Sequence, residues 1–375
     1  MQNHFPSTYE ESRERFRREF EALRGRWQDS SISAHPISAD PSLSIEVAWA
    51  RPAEMDTLVM VSTGVHGIEG YAGSAMLKLF MDEFTPRLDP AHTGLLLVHA
   101  VNPWGMKHRR RYNENNVDLN RNFLWDQHFD PQANPDYEPL NSLLNPARPI
   151  TNLPLSDAAF AARLVTRIAG VGIARLRNGT LSGQYRHPTG IQFGGQHTQD
   201  STRLLRDVMQ QALESCPRVV HFDMHTGYGP RYQMSFVNAL REKTPGAELR
   251  KRFNYPLILA ASPGEFYTTT GDITEYFYQL HEADYPQKQL FSTCFEFGTF
   301  GESLPNQIRS MRATILENRL HQHGTPSPQI RQAVRREYEE LFLPTEERWR
   351  SKAMQDCRQG LGGVLAYYGL LSSQD

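Results

Sequence analysis

Residues 57–70 read TLVMVSTGVHGIEG, and this stretch decides the fold. Its first half is a largely apolar run of strand length, which is typical of a strand buried in a parallel sheet. Glycines follow at once, and among them stand His66 and Glu69, with two residues between them. An imidazole and a carboxylate this close can both reach one metal ion if the chain turns sharply. The pair alone is weak evidence, because in a chain with 14 histidines such a spacing also arises by accident.

Comparable apolar runs recur along the chain and end in glycine or polar turns. They predict strands that begin at Ser44, Gly94 and Arg218, and later strands at 232–238, 257–261 and 290–297. Helical patterns fall between and after them, at residues 71–84, 156–177, 202–214, 330–343 and 346–359. This alternation predicts an α/β fold, with a mixed, largely parallel central sheet flanked by helices.

The chain is predicted to form one domain, because no repeat, low-complexity tract or sharp change in composition divides it. A helix is expected at about 7–27, with Ser7 as its N-cap and a solvated charged face. Long loops are expected at about 124–200, where residues 134–154 are dense in Pro and Asn and residues 178–195 are dense in Gly. Loops of this length often cover a binding site.

Composition excludes several classes of protein. The net charge is −2, from 40 basic and 42 acidic side chains, so no strong field favours nucleic acid or an anionic membrane. The three cysteines are an odd number without a CxxC spacing, which argues against a disulfide scaffold or a thiolate metal site and favours a reducing compartment. The N-terminus is polar, and no stretch approaches about 18 consecutive apolar residues. We therefore expect a cytoplasmic protein that binds neither nucleic acid nor membrane.

A second strand ends in HFDMHTGYG, which places His225 directly before a glycine-rich turn. Ligands of open α/β sheets collect beyond the carboxyl ends of the strands, so His225 could meet His66 and Glu69 there. Two histidines and one carboxylate form a catalytic zinc set, which leaves a fourth position for a water whose pKa the metal lowers to roughly 7. His221 lies further back on the same strand and is not favoured as a ligand.

A third strand carries an acidic residue, Glu296, inside the otherwise apolar run STCFEFGTFG. A carboxylate is costly there unless it is paired or functional. The plain alternative is a carboxylate satisfied by a neighbouring arginine or by backbone groups. Beside a zinc-bound water, Glu296 would instead act as the general base, taking a proton and later delivering it to the leaving nitrogen.

A fourth motif, RRRYNENNVDLNRNF, follows VNPWG and spans residues 109–123. Asn120 and Arg121 offer fork-like donors that suit a carboxylate, and Arg111 could stabilise a developing oxyanion. Adjacent arginines are more often a solvated run. The spacing of Asp118 and Arg121, however, is not needed for solubility, which favours a binding role.

Together these motifs resemble those of the zinc carboxypeptidase family that includes carboxypeptidase A, and indicate a bacterial branch of it. The order is the same: HxxE, then NPxG leading into DLNRNF, then a histidine at a strand end, then a glutamate within a strand. One motif would be weak evidence, but four in order between Val59 and Thr299 are fairly specific. The DMHTG string also resembles the aspartoacylase and succinylglutamate desuccinylase branch, whose members share the zinc set but cleave acyl amino acids.

The resemblance implies a single catalytic domain with one zinc ion per chain, bound by the three ligands considered above. It implies that Glu296 is the base and that Asp118 orients His66 through a hydrogen bond. It also implies that Asn120 and Arg121 hold the terminal carboxylate of the substrate.

Two further assignments are carried less directly by the resemblance. Arg111 would polarise the substrate carbonyl, although Arg110 offers an alternative register. The digestive enzymes of the family place a tyrosine that closes over the substrate before their last catalytic strand. Here FYTTTGDITEYFY supplies Tyr267, Tyr276 and Tyr278, of which Tyr267 is our choice.

The function implied is hydrolysis of a peptide or amide bond next to a free carboxylate of a small substrate, by water activated on zinc. Two alternatives within the same class are an N-acyl amino acid amidohydrolase and a cell-wall peptide amidase. A protein that binds carboxylate ligands without turnover belongs to a different class. It is disfavoured because such a protein is expected to lack a ligand or the base, and all four key positions are occupied here.

Overall fold

A computed structural model describes residues 4–261 and 269–372. Within these residues, eight strands form one sheet. They are β1 (Asp29–Ile37), β2 (Asp40–Arg51), β3 (Thr57–Thr63), β4 (Thr93–His99), β5 (Arg218–Gly227), β6 (Met234–Asn238), β7 (Ile258–Ala260) and β8 (Gln289–Gly298).

The strand order in the sheet is β1-β2-β4-β3-β5-β8-β6-β7. Strands β4, β3, β5 and β8 are parallel neighbours, and β6 pairs in parallel with β7. The pairs β1–β2, β2–β4 and β6–β8 are antiparallel. The fold is therefore α/β with a mixed sheet, as predicted. Its central parallel strands all end at one edge, where the candidate site lies.

Helices cover both faces of the sheet. Their bounds are α1 (Tyr9–Leu23), α2 (Gly70–Leu79), α3 (Pro103–His108), α4 (Asn141–Leu144), α5 (Leu153–Val171), α6 (Ile173–Leu181), α7 (Asp200–Ser215), α8 (Gly246–Arg252), α9 (Ile273–Asp284), α10 (Leu304–His323), α11 (Pro328–Phe342) and α12 (Glu347–Tyr367). Along residues 4–261 and 269–372, no helix is both long and apolar enough to cross a membrane.

The sheet separates two hydrophobic cores, and β3 contributes to both. Successive side chains of a strand point to opposite faces. In β3, Val59 and Val61 join the core that α1, α2 and α12 cover, whereas Leu58 and Met60 join the core that α7 and α9 cover. Both faces of this central strand are buried, which explains why its sequence is a continuous apolar run.

The predicted N-cap of the first helix is wrong by one residue. The helix begins after Thr8, whose side chain accepts a hydrogen bond from the backbone N–H of Glu11 at 3.1 Å. Ser7 lies outside the cap and donates its own backbone N–H to the Glu11 carboxylate. The aromatic residues Phe16 and Phe20 of α1 are buried, which fixes the helix on the core.

Residues 124–200 contain more helix than the predicted long loops, because α4, α5 and α6 all lie there. The single helix predicted at 156–177 is two helices. Gly172 separates them with a φ of +81°, a conformation that continues neither helix. This helical segment lies next to the candidate site, so it matters for what can enter.

Candidate metal centre and active site

The candidate site lies where β3, β5 and β8 end side by side. Strand β3 pairs with β5 as far as Thr63 and Met224, and β5 pairs with β8 so that His225 stands opposite Glu296. The turn that follows β3 carries His66 toward the same edge. Neighbouring parallel strands thus bring three separate sequence motifs to one place.

Two glycines make the turn after β3 possible. Gly64 has a φ of +71°, a left-handed conformation that glycine adopts at low cost. A Cβ added at Gly67 would lie 2.1 Å from the backbone carbonyl carbon of Gly105, so glycine alone fits at this close approach. The backbone N–H of Gly67 donates to the carbonyl of Arg111 at 3.1 Å. The turn is thereby joined to the segment that carries the arginines.

The structure brings His66, Glu69 and His225 together in a buried cluster, each at most 3% exposed. His66 Nδ1 lies 2.9 Å from Glu69 Oε1, and His225 Nδ1 lies 3.2 Å from Glu69 Oε2. The two Nδ1 atoms are 3.2 Å apart. One donor atom from each residue can therefore face a common point, as binding of a single metal ion requires.

A carboxylate holds the opposite nitrogen of each imidazole. His66 Nε2 lies 2.9 Å from Asp118 Oδ1, and His225 Nε2 lies 2.5 Å from Asp223 Oδ2. When these carboxylates accept the Nε2 protons, the two Nδ1 atoms present lone pairs to each other. Such lone pairs repel unless a cation or a proton lies between them. The donor set therefore fits a zinc ion, which binds neutral imidazole and carboxylate oxygen.

The charges of the cluster shift the pKa values of its members. Burial raises the pKa of Glu69, but the charge of His66 and hydrogen bonds from both histidines outweigh burial and lower that pKa below its usual range. Burial lowers the pKa of His225, but the Asp223 carboxylate outweighs burial and raises that pKa well above its usual value. The raised pKa favours the doubly protonated imidazole of His225, and metal binding requires the neutral form, so it would release a proton.

Glu296 lies beside this cluster, on the strand next to His225. It is 7% exposed, and its Oε1 accepts the backbone N–H of Tyr228 at 2.9 Å. Burial, followed by the charge of Glu69, raises the pKa of Glu296 to about 8. A carboxylate with a pKa near neutrality suits a group that must accept a proton and return it.

A second group of possible ligands, His225, Cys294 and Glu296, meets the same distance condition. It shares His225 with the first group. In the first group, however, both imidazoles are held by a carboxylate on their far nitrogen, the arrangement that orients histidines toward a metal. We therefore take the first group as the candidate centre.

The two candidate arginines lie in different surroundings. Arg111 lines the cavity beside the cluster, where its Nη1 donates to Glu69 at 3.2 Å and its Nε donates to Asp118 at 2.9 Å. Arg110 is buried elsewhere and forms an ion pair with Glu317 at 2.7 Å. The geometry favours the register that uses Arg111.

Asn120 and Arg121 line the same cavity but differ in their partners. The Asn120 amide donates to Asp272 and accepts from the backbone N–H of Ile273, each at 2.9 Å, so it serves the start of α9. Arg121 is 1% exposed and donates to the backbone carbonyls of Asn120 and Leu181, each at 2.8 Å. Among the described residues no carboxylate forms an ion pair with Arg121, and its Nε has no partner. A buried guanidinium without a counter-ion suits the binding of an anionic ligand.

Asp223 was not among the site residues predicted from the sequence. It precedes His225 by two positions on β5 and so points to the same face of the sheet. Its second oxygen accepts a hydrogen bond from the Ser62 hydroxyl at 2.6 Å, and Ser62 also contacts His221 at 2.9 Å. His221 thus belongs to a buried network behind the site. The spacing of Asp and His in DMH was the sequence signal for this carboxylate.

Replacing Asp223 with Asn is expected to weaken zinc binding about 10- to 100-fold, because the amide no longer orients His225 as a charged acceptor. Competition with a chromophoric chelator measures the affinity. Asp207→Asn, on the exposed face of α7, is the matched control and should leave the affinity unchanged. Equal zinc affinity of the Asp223 variant and the control would remove this orienting role.

The tyrosine chosen to close over the substrate, Tyr267, lies outside the described residues. The other two candidates lie on α9 and are buried, Tyr276 at 4% and Tyr278 at 5% exposure. The Tyr276 hydroxyl accepts a hydrogen bond from Arg206, and the Tyr278 hydroxyl donates to Glu242. Neither is among the described residues that line the cavity.

The chain was compared with protein-family models, with curated proteins and with solved structures. The model of the family described as "Protein of unknown function (DUF2817)" matches residues 5–356. A comparison with curated proteins found no match.

Solved structures with a similar fold include metallocarboxypeptidases and a protein described as belonging to the succinylglutamate desuccinylase/aspartoacylase family. Carboxypeptidase A from Helicoverpa armigera is 13% identical, with a TM-score of 0.47, over 84% of this chain and 73% of that one. A metallo-carboxypeptidase from Pseudomonas aeruginosa is 12% identical, with a TM-score of 0.45, over 96% of this chain and 70% of that one. The desuccinylase/aspartoacylase family protein, from Shewanella amazonensis, is 19% identical, with a TM-score of 0.39, over 80% of this chain and 75% of that one. At these identities the chemistry of this chain has to follow from its own residues.

Proposed function

The chain belongs to the family described as "Protein of unknown function (DUF2817)", and we propose that it is a zinc-dependent hydrolase that cleaves a peptide or amide bond next to a free carboxylate. In this proposal residues 1–375 form one catalytic domain with one zinc ion. The observation that carries it is the buried cluster of His66, Glu69 and His225, whose donor atoms turn toward a common point beside Glu296.

Zinc held by these three residues would supply a Lewis acid that polarises a carbonyl group and lowers the pKa of water. The remaining steps belong to side chains of the protein. Glu296 accepts the proton of the attacking water and delivers it to the leaving nitrogen. The N–H of Tyr228 holds one carboxylate oxygen of Glu296, which lines the cavity, and the other oxygen is left for the proton transfer.

Arg111 is proposed to have two roles, one in positioning carboxylates and one in stabilising charge. Its bonds to Glu69 and Asp118 keep both carboxylates in place around His66. Its position in the cavity also sets a permanent positive charge beside the point where a carbonyl oxygen becomes negative during hydrolysis.

Arg121 is proposed to bind the substrate carboxylate, and replacing it with Ala is expected to raise KM for such substrates about 10- to 100-fold. The reason is the loss of charge-assisted hydrogen bonds to an anion, with little change in kcat. Steady-state kinetics on peptides and N-acyl amino acids with free carboxylates test this. Thermal unfolding of the variant checks that removal of a buried side chain has left the fold intact.

The same substrates with amidated C-termini are the control. The wild-type protein should cleave them poorly, and Arg121→Ala should not change their KM. Equal cleavage of free and amidated substrates by the wild-type protein would contradict carboxylate binding at Arg121.

The rival reactions use the same site and differ in substrate. An N-acyl amino acid amidohydrolase would prefer acyl amino acids over peptides, and a cell-wall peptide amidase would accept peptides that contain non-standard linkages. A panel of all three substrate types, with zinc content measured on the same sample, separates them. A protein that only binds carboxylates would hold zinc and hydrolyse none of the panel.

A further inference from the structure

Helices α6 and α10 form two walls of the cavity, and each uses one face. The lining residues of α6 recur at intervals of three and four, which places them on one side of the helix. They are Ile173, Leu176, Arg177, Thr180 and Leu181. The lining residues of α10 follow the same rule and are Leu304, Gln307, Ile308, Ser310, Met311 and Thr314. The two helices touch where Thr180 Oγ1 lies 3.9 Å from Met311 Sδ, and we call the cavity surface that these two sets form the α6–α10 groove.

Successive turns of α6 contact residues that the proposed function uses. At the end of the helix, the carbonyl of Leu181 accepts a hydrogen bond from Arg121 at 2.8 Å. One turn earlier, Arg177 donates to the hydroxyl of Tyr228 at 2.7 Å. The backbone of that tyrosine holds Glu296, as described above. Followed from its C-terminal end, the helix thus contacts the proposed carboxylate-binding residue first and then the tyrosine whose backbone holds the proton acceptor.

The outer end of the groove is apolar. Ile173 and Leu304, the first residues of their helices, line the cavity and are 52% and 50% exposed. With a rise of about 1.5 Å per residue, Ile173 lies about 6 Å further along α6 than Arg177. Because both side chains line the cavity, they offer apolar surface to the part of a ligand that lies there, as the walls of ligand pockets commonly do.

We propose that the α6–α10 groove binds an elongated apolar group on the acyl side of the scissile amide bond. The inference rests on the proposed function, which sets the substrate carboxylate at Arg121 and the scissile bond beside Glu296. The part of the substrate beyond that bond then extends along α6 toward Ile173 and Leu304. The substrate class is an amino acid or short peptide whose amine carries a medium-length aliphatic acyl chain or an apolar peptide segment.

Equilibrium binding to the full-length, zinc-equilibrated Glu296→Gln variant tests the proposal without turnover. The ligands are N-acetylglycine and N-hexanoylglycine, compared by calorimetry. A buried methylene strengthens binding about fourfold, so the added methylenes of hexanoyl are expected to lower Kd at least tenfold, even with partial burial. Triglycine and Leu-Leu-Gly form a second pair. A larger gain in the first pair identifies an acyl chain as the group bound, and a larger gain in the second identifies an apolar peptide.

Two substitutions at the rim test the location of this gain. Ile173→Asp and Leu304→Asp, combined, place charges on the apolar rim. Each lies in the first turn of its helix, where an acidic residue is well tolerated, and each replaces a half-exposed side chain. In this double variant the Kd of N-acetylglycine should exceed that of N-hexanoylglycine by about twofold or less. Val165→Asp, on α5 and 69% exposed, is the control and should keep the ratio.

Equal affinity within both ligand pairs, no binding of any of the four ligands, or a gain that survives in the double variant would each overturn the groove assignment. Hydrolysis by the wild-type protein separates this outcome from failure of the proposed function. Cleavage of acetylglycine without a chain-length preference would leave the hydrolase standing and remove the groove. Tighter binding of the hexanoyl ligand with no hydrolysis of any substrate would support the groove and contradict the proposed hydrolase.

Discussion

Replacing Glu296 with Gln is expected to lower kcat for an N-acyl amino acid about 10³-fold, while one zinc ion per chain stays bound. A positioned general base contributes about 10²- to 10⁴-fold to a rate, and Gln cannot accept the proton. The amide keeps an oxygen for the N–H of Tyr228, so the local backbone is not disturbed. Because burial and Glu69 raise the pKa of Glu296 to about 8, the neutral side chain also fits its surroundings well.

The measurements are steady-state kinetics and zinc content of the same preparation. Glu302→Gln is the matched control, since Glu302 is an exposed carboxylate at the rim of the same cavity. It should retain activity within about twofold. Similar kcat values for Glu296→Gln and the wild-type protein would rule out Glu296 as the base. Retained zinc with no turnover in the wild-type protein itself would point to the carboxylate-binding protein without catalysis.

Replacing His66 with Ala is expected to abolish both zinc binding and hydrolysis. In the proposed centre the imidazole supplies one of three donor atoms, and it also carries the hydrogen bond to Asp118. Its loss leaves Glu69 and His225 as the remaining donors, too few to hold zinc against a mild chelator. Zinc content should fall from one per chain toward zero, and kcat/KM should fall by at least about 10³-fold.

The melting temperature separates metal loss from unfolding. Added zinc should raise the melting temperature of the wild-type protein, because a ligand that binds the folded state stabilises it. It should leave that of the His66 variant unchanged. His197→Ala removes an exposed histidine and is the control that keeps both zinc and activity. A His66→Ala protein that still binds one zinc ion tightly would show that the metal is held elsewhere.

The central strands were predictable because both of their faces are buried, which makes their sequences apolar without interruption. Strand β1 was not. It is an edge strand, and DSSISAHPI is largely polar and mostly exposed, so it forms through its pairing with β2. Helix α10 escaped prediction for another reason: its buried positions include Thr314, Glu317 and Asn318, so no apolar stripe marks it.

The candidate site also combines residues that the sequence predicts with contacts that it does not. Residues that chemistry requires at a strand end, such as His66, His225 and Glu296, could be chosen from the motifs, and the structure brings them together. The partners of Arg121 and Asn120 could not be predicted. They come from α6 and from the start of α9, segments far away in the chain that meet the motif only after folding.

The register between β5 and β8 has a consequence for how this protein could diversify. His225 and Glu296 are direct neighbours on two adjacent parallel strands. The distance between their backbones is therefore set by the spacing of the strands and not by a loop. Insertions or substitutions in the helical segment 124–200 can reshape what enters the cavity without altering that separation. The proposed reaction thus depends on strands β5 and β8, whereas the choice of substrate depends on residues 124–200. Evolution can change the second while it preserves the first.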